Sequence, residues 1–349
     1  MPGLMADLSM HAPEIAVWTD AAHAALAGQV LDLMGGQVRP IAVGAADGSA
    51  DGQLAQWART LDAPSFRDLR KLRIDRPTAF LLCTTGLPPA ATDLRELAKA
   101  GTTVLLLTPP ADDARALADL AAPGVAERLV RTPRFDACPG LSAAAEPQHA
   151  FEGRPARVHL ASHGPPTHGS LFARAFDAWR VALLFAPLPE TIDASLQRPA
   201  GTPAAQHPAE LVGRMSAHAR SADGSAVTLQ LSDRSLASQR RLRVNADHAD
   251  LEATDAAYTL HTDDPSRPED PAQIETNAPD PAPTGPQPIA DHPPFADLIA
   301  GHFRRLLDRP PLPTSPIADR HALACVQACQ LSARTGQPER PDQLLLTGI

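Results

Sequence analysis

Over the first 130 positions, apolar residues follow two alternating rhythms. Short unbroken runs (IAVW at 15–18, FLLC at 80–83, VLLL at 104–107) are bounded by turn residues, and between them apolar positions recur every three to four residues. Unbroken runs mark strands buried on both faces of a parallel sheet, and the three-to-four spacing marks the helices that cross over it. The pattern predicts a strand, a tight turn, a helix and a second strand over 13–47, then helices at 53–61 and 68–72. A strand within 78–86, a helix at 88–100, a strand at 102–108 and a helix at 111–122 follow. Strict alternation of this kind implies a Rossmann-like, doubly wound parallel sheet occupying 13–130. Thr19 or Asp20 can cap the first helix and Gly35-Gly36 ends it, with His23, Leu26, Ala27, Val30, Leu33 and Met34 as its inward stripe.

From about Arg134 the texture changes. A short strand at 157–161 and a helix at 170–185 precede strands at 190–196, 211–220, 226–231, 241–245 and 257–262. Ala222-Asp223-Gly224 reads as a hairpin turn, after which Val227, Leu229 and Leu231 alternate as in a strand with one buried face. This predicts an α+β domain with an open, mainly antiparallel sheet, built from 131–262 and 295–349. Residues 263–294, rich in Pro and Asp, read as a flexible insertion. A helix at 295–307 and a last helix close the chain. Ser315 would cap that last helix, Pro316 fits its first turn and Gly336 lies just past its end; Ala318, Ala322, Cys325, Val326, Cys329 and Ala333 form its inner stripe.

Composition narrows the partners. The 349 residues suffice for two cores, and with 44% hydrophobic but only 4% aromatic residues those cores must be built largely of Leu, Val and Ala. A formal charge of −9 argues against nucleic acid or an anionic membrane as partner. No apolar run approaches bilayer length, and the start, MPGLMADLSMHAPE, lacks the basic and apolar regions of a secretory signal. The four cysteines (Cys83, Cys138, Cys325, Cys329) show no disulfide spacing, so a reducing cytoplasm is expected, with Cys325 and Cys329 as buried thiols.

In a dinucleotide-binding sheet the turn after the first strand carries G-x-G-x-x-G so that backbone can approach a diphosphate. Here that turn is Trp18-Thr19-Asp20-Ala21-Ala22-His23, without glycine. Asp47, after the second strand, stands where an acidic group meets a ribose hydroxyl, or else is a turn residue in GAADGSADG. Thr84, Thr85 and Thr108 end strands at the carboxyl edge, where open α/β sheets bind ligands. Thr19, Asp47, Thr84 and Thr108 are therefore the candidate cofactor contacts. His159, His163 and His168 match no rigid metal-ligand spacing and read as a polar loop; Arg240, Arg241 and Arg243 read as a solvated strand edge. Ser162, His163 and Ser170 lack the G-x-S-x-G elbow of a hydrolase.

The order of AQWARTLDAPSFRDL, FLLCTT, LAKAGTTVLLLTPP, RTPRFDACPG, the helix bearing Asp177, the hairpin at Asp223-Gly224 and ALACVQACQLSARTGQPERP resembles the Gfo/Idh/MocA oxidoreductases. The resemblance implies NAD or NADP as cofactor, a sugar- or polyol-type substrate, and homo-oligomers formed through the second sheet. It also implies losses. The family's Glu-Lys-Pro falls on Leu107-Thr108-Pro109, its Asp-x-x-x-His pair on Ser170 and Arg174, and a further histidine on Ala90. No catalytic residue carries over, and Asp20 would bring a carboxylate to the helix N-terminus that should attract a diphosphate. Two readings follow: an oxidoreductase of this family, or a catalytically inactive relative serving as a ligand-binding or partner subunit. A hydrolase or metal enzyme resting on the histidines is a third.

Overall fold

The computed structural model describes residues 12–45, 51–144, 151–262, 293–308 and 316–347. Asp47, Ser315 and 263–292 of the Pro/Asp-rich stretch lie outside them. The first sheet contains β1 (Glu14–Thr19), β2 (Arg39–Ala45), β3 (Ser65–Phe66), β4 (Phe80–Thr84), β5 (Thr103–Leu106) and β6 (Leu129–Arg131). Every pairing is parallel and the order is β3-β2-β1-β4-β5-β6. Successive strands are added outward from β1 on one side and from β4 on the other, so the topological switch point lies at the carboxyl ends of those two strands. The connections are α1 (Ala24–Met34), α2 (Asp51–Thr60), α3 (Leu69–Asp75), α4 (Ala91–Lys99) and α5 (Ala114–Leu120). Ile15, Val17, Leu81, Leu82, Val104 and Leu105 are fully buried, as two-sided strands require.

Two details of α1 differ from the sequence reading. It begins at Ala24, not beside Thr19 or Asp20, because 20–23 close into a turn first: His23 N donates to the Asp20 carbonyl at 3.2 Å. Leu31 is buried and Leu33 is 37% exposed, which shifts the apolar stripe by part of a turn. At α5 Asp113 caps the helix, accepting from Ala116 N at 2.7 Å.

After α6 (Pro139–Ala143), the second sheet takes β7 (Arg157–His163), β8 (Thr191–Gln197), β9 (Arg214–Arg220), β10 (Ala226–Ser232), β11 (Gln239–Ala246), β12 (Ala249–Thr254) and β13 (Tyr258–Thr262). Its order is β13-β12-β11-β7-β10-β9-β8, antiparallel except for β7 with β10. β12 escapes the sequence reading because its buried positions are Ala249, Leu251 and Ala253, mostly side chains too small to give a strong alternation. One face of the sheet is covered by α7 (Leu171–Ala182), whose twelve residues are all buried, and by α9 (Pro316–Thr335). Trp179, 0% exposed, links them by donating from Nε1 to Cys329 Sγ at 3.4 Å, and Ser332 Oγ on α9 accepts from Ala194 N of β8 at 2.9 Å. The opposite face is polar, with Arg157, His159, Arg220 and Arg243 pointing outward. α8 (Phe295–Asp308) packs on α1, and its Phe303 ring lies 5.3 Å from that of Phe80; α10 (Pro341–Thr347) ends the described chain.

Candidate functional site

At the switch point a side chain of the chain itself lies across the strand ends. The turn after β1 aims the Asp20 carboxylate back across the strand ends. Its Oδ1 accepts from His23 N at 3.0 Å and lies 2.6 Å from His23 Nδ1, while Oδ2 accepts from Gly86 N, just beyond β4, at 2.8 Å. Burial by itself would raise the Asp20 carboxyl pKa, but the bonds from His23 and Gly86 outweigh it and hold the group below the ordinary carboxylate range. Backbone N–H groups that could cradle an anion are thus already bound to one. His23 is buried, and its Nε2 reaches 3.4 Å from Pro166 O, across the cleft.

The candidate cofactor contacts divide. Thr19 and Thr84 are brought together, each 1% exposed, with their hydroxyls 3.0 Å apart and Thr19 Oγ1 donating to the Thr84 carbonyl at 3.2 Å. Thr108 is equally buried, and its Oγ1 has no hydrogen-bond partner. Asp47 lies outside the described residues. Thr85 Oγ1 closes its own turn on Leu87 O at 2.6 Å.

Below this turn the groove between the sheets is packed with ion pairs. Asp177 on α7 takes Arg131 on Oδ1; on Oδ2 it accepts from Arg240 Nη1 at 3.1 Å and Phe135 N at 3.2 Å. Arg240 also bonds Asp255 through Nε at 2.7 Å and Pro133 O at 3.0 Å, with the Phe135 ring 5.1 Å beneath it. Arg240 therefore corrects the sequence reading: it is 6% exposed, and only Arg241 and Arg243 face solvent. The signal was present, since Arg240 shares strand parity with Leu242 and Val244 and so had to point inward with them. A second cluster joins Arg134, Asp136, Arg180 and Asp319. Burial there would raise the Asp136 pKa, yet Arg134 and its neighbours hold it far below normal.

Arg174 stands one turn into α7. Its Nη1 donates to His163 O at 3.0 Å, and its Nη2 to Pro165 O at 3.2 Å and His168 O at 3.1 Å. Gly164 makes this possible, for a Cβ there would lie 2.3 Å from Nη2. The three loop histidines do not converge. His159 is on the outer face, whereas His163 and His168 are half-buried, and burial with the nearby Arg174 charge lowers both their pKa values. His168 stacks on Phe295 at 4.7 Å and places Nδ1 2.8 Å from Ser238 Oγ. Among the described residues no group of His, Cys, Asp or Glu is placed to hold a metal ion. All four cysteines are free and buried, and burial pushes the Cys83, Cys138 and Cys329 thiols up to about 12, which makes them poor nucleophiles. No described helix is long and apolar enough to cross a membrane.

No protein-family model matches the chain, and no curated protein sequence matches it. Solved structures do match. GenD2 from gentamicin A biosynthesis, determined with NAD, is 16% identical with a TM-score of 0.66, over 97% of this chain and 99% of its own. WlbA from Chromobacterium violaceum, determined with NADH and UDP-GlcNAcA, is 12% identical with a TM-score of 0.62, over 94% and 96%. Levoglucosan dehydrogenase, determined with NADH and L-sorbose, is 13% identical with a TM-score of 0.61, over 94% and 99%. The chain has the two-domain fold of the Gfo/Idh/MocA-type dehydrogenases. NAD is the cofactor named with GenD2, and NADH with the other two. The switch point of this chain fits a dinucleotide poorly, because the Asp20 carboxylate puts a negative charge there and takes two of its backbone N–H groups.

Proposed function

We propose that this protein is a member of the Gfo/Idh/MocA family that no longer transfers hydride and serves as a ligand-binding or partner subunit. One observation carries the reading: the Asp20 carboxylate takes the N–H groups of His23 and Gly86. A diphosphate arriving there would meet a like charge and find those two donors already taken. The rest of the groove agrees. Thr108 replaces the lysine that the resemblance places after β5, Arg174 replaces the histidine on α7, and Asp177 has both oxygens held by cations. Neither Arg174 nor Asp177 is free to act as a general base there.

The competing reading is NAD(P)-dependent oxidation of a sugar or polyol hydroxyl. It draws on the fold and on the cofactors named with the solved neighbours. Fluorescence titration with NADH and NADPH separates the two. We expect no saturation below about 1 mM; binding tighter than about 10 μM, roughly 7 kcal/mol, would overturn the proposal. Asp20→Gly should strengthen binding at least tenfold by freeing the amides and removing the repulsion. The same reading includes self-association through the uncovered face of the second sheet, on the pattern the family resemblance implies.

A further inference from the structure

The groove between the two sheets retains a cavity of about 30 Å³. That is room for roughly two waters. Three guanidinium groups line it, those of Arg131, Arg174 and Arg240, against two carboxylates, Asp177 and Asp255. The carboxylates are already committed, Asp177 to Arg131 and Arg240 and Asp255 to Arg240. The nearby buried Asp233 accepts from Gly213 N at 2.9 Å and pairs with Arg234. Arg174, only 5% exposed, meets carbonyl oxygens and no carboxylate. Its Nε and that of Arg131 are buried without an acceptor. A buried cation lacking a counter-charge is costly, and buried donors without acceptors call for a missing partner. Burial and the Arg240 charge pull the Arg174 pKa down to about 10, which still leaves it charged at neutral pH.

We propose that this cavity binds the carboxylate of a small organic acid, with Arg174 as its counter-charge and the Ser162, Ser238 and His168 side chains in its wall. The excess charge is one, which a monoanion balances and a phosphate dianion exceeds. The donor left without an acceptor on Arg174 is Nε, which can make one charge-assisted hydrogen bond to a carboxylate oxygen while the three carbonyl bonds stay in place. The inference rests on the reading above, in which the groove holds a ligand without redox turnover, and it names the class of that ligand.

The test titrates the purified chain with sodium acetate and sodium glycolate by calorimetry and thermal shift. Sodium chloride at equal ionic strength, inorganic phosphate and glycerol serve as comparisons, and NADH is titrated in parallel. Acetate and glycolate should saturate and raise Tm, while chloride and glycerol should not. Arg174→Gln should weaken acetate binding at least tenfold, and Ser238→Ala, which leaves every Arg174 bond in place, should weaken it several-fold. A carboxylate response no larger than that of chloride, tighter binding of phosphate than of acetate, or undiminished binding by Arg174→Gln would each overturn the proposal. If Arg174→Gln does not fold, Ser238→Ala decides by the same criterion. Tight NADH binding beside an intact acetate response would sink the non-redox reading and leave the carboxylate site standing.

Discussion

Asp177 and His302 show what single buried groups contribute here. Asp177 is 7% exposed between two cations, so Asp177→Asn would strand both Arg131 and Arg240 without a full counter-charge. Breaking a buried pair in this way costs about 3–5 kcal/mol, and urea unfolding at pH 7 should show a loss of that size. His302, on α8, is buried with Nδ1 3.1 Å from Thr132 Oγ1. Burial, with the Arg305, Arg134 and Arg131 charges, pushes its pKa down from 6.5 to about 4. Between those values the unfolded chain binds a proton that the folded chain refuses, so stability falls as pH drops from about 6.5 towards 4. The loss is on the order of 3 kcal/mol once pH reaches 4. His302→Gln removes the titration while keeping a polar partner for Thr132. Its urea midpoint should therefore fall less between pH 7 and pH 4.5 than that of the unaltered protein, and equal slopes would remove His302 from the account.

At the level of elements, a close approach at Gly164 sets how β7 meets α7. β7 ends at His163, and Gly164 lets the chain turn under α7 so that Arg174 can reach three loop carbonyls. Gly164→Ala would place a methyl 2.3 Å from the Arg174 guanidinium and 2.7 Å from Ser238 Oγ. The expected cost is about 1–3 kcal/mol, read as a lowered Tm, together with a change in protease sensitivity confined to the 163–170 loop. Most elements were legible in the sequence, since β1, β4 and β5 are apolar runs and α1 and α5 are periodic. β6 and β12 were not: three residues make too short a run, and Ala249 and Ala253 carry too little apolar signal. The site was legible only in part. The glycine-free turn could be read directly and the inward parity of Arg240 was there to be read, whereas a lysine and a histidine expected at Thr108 and Arg174 came only from the family resemblance. The partners Arg131, Asp177 and Asp255 were not, because they come from β6, α7 and the turn after β12, and no local spacing joins them.

At the scale of the whole molecule, the second sheet is covered by helices on one face and polar on the other. Thr228 lies near the middle of the uncovered face, paired across β9 and β7 with His218 and His159. Self-association through that face predicts a light-scattering mass at least twice the 36.8 kDa of one chain. Thr228→Glu should return it to one chain without altering the circular dichroism. A single-chain mass at high concentration would leave the face without that role.

Periodicity along the chain was enough to determine the alternating first half, the one-sided second sheet and the absence of a glycine cradle, because each is set by residues within a few positions of one another. Only the tertiary structure decided that Asp20 meets Gly86 N, 66 residues away, and that Arg174 ends without a carboxylate in a cavity whose other cations are paired. Hydrogen bonds and ion pairs depend on distance in space, and a buried charge acquires its meaning from whatever the fold brings, or fails to bring, within reach.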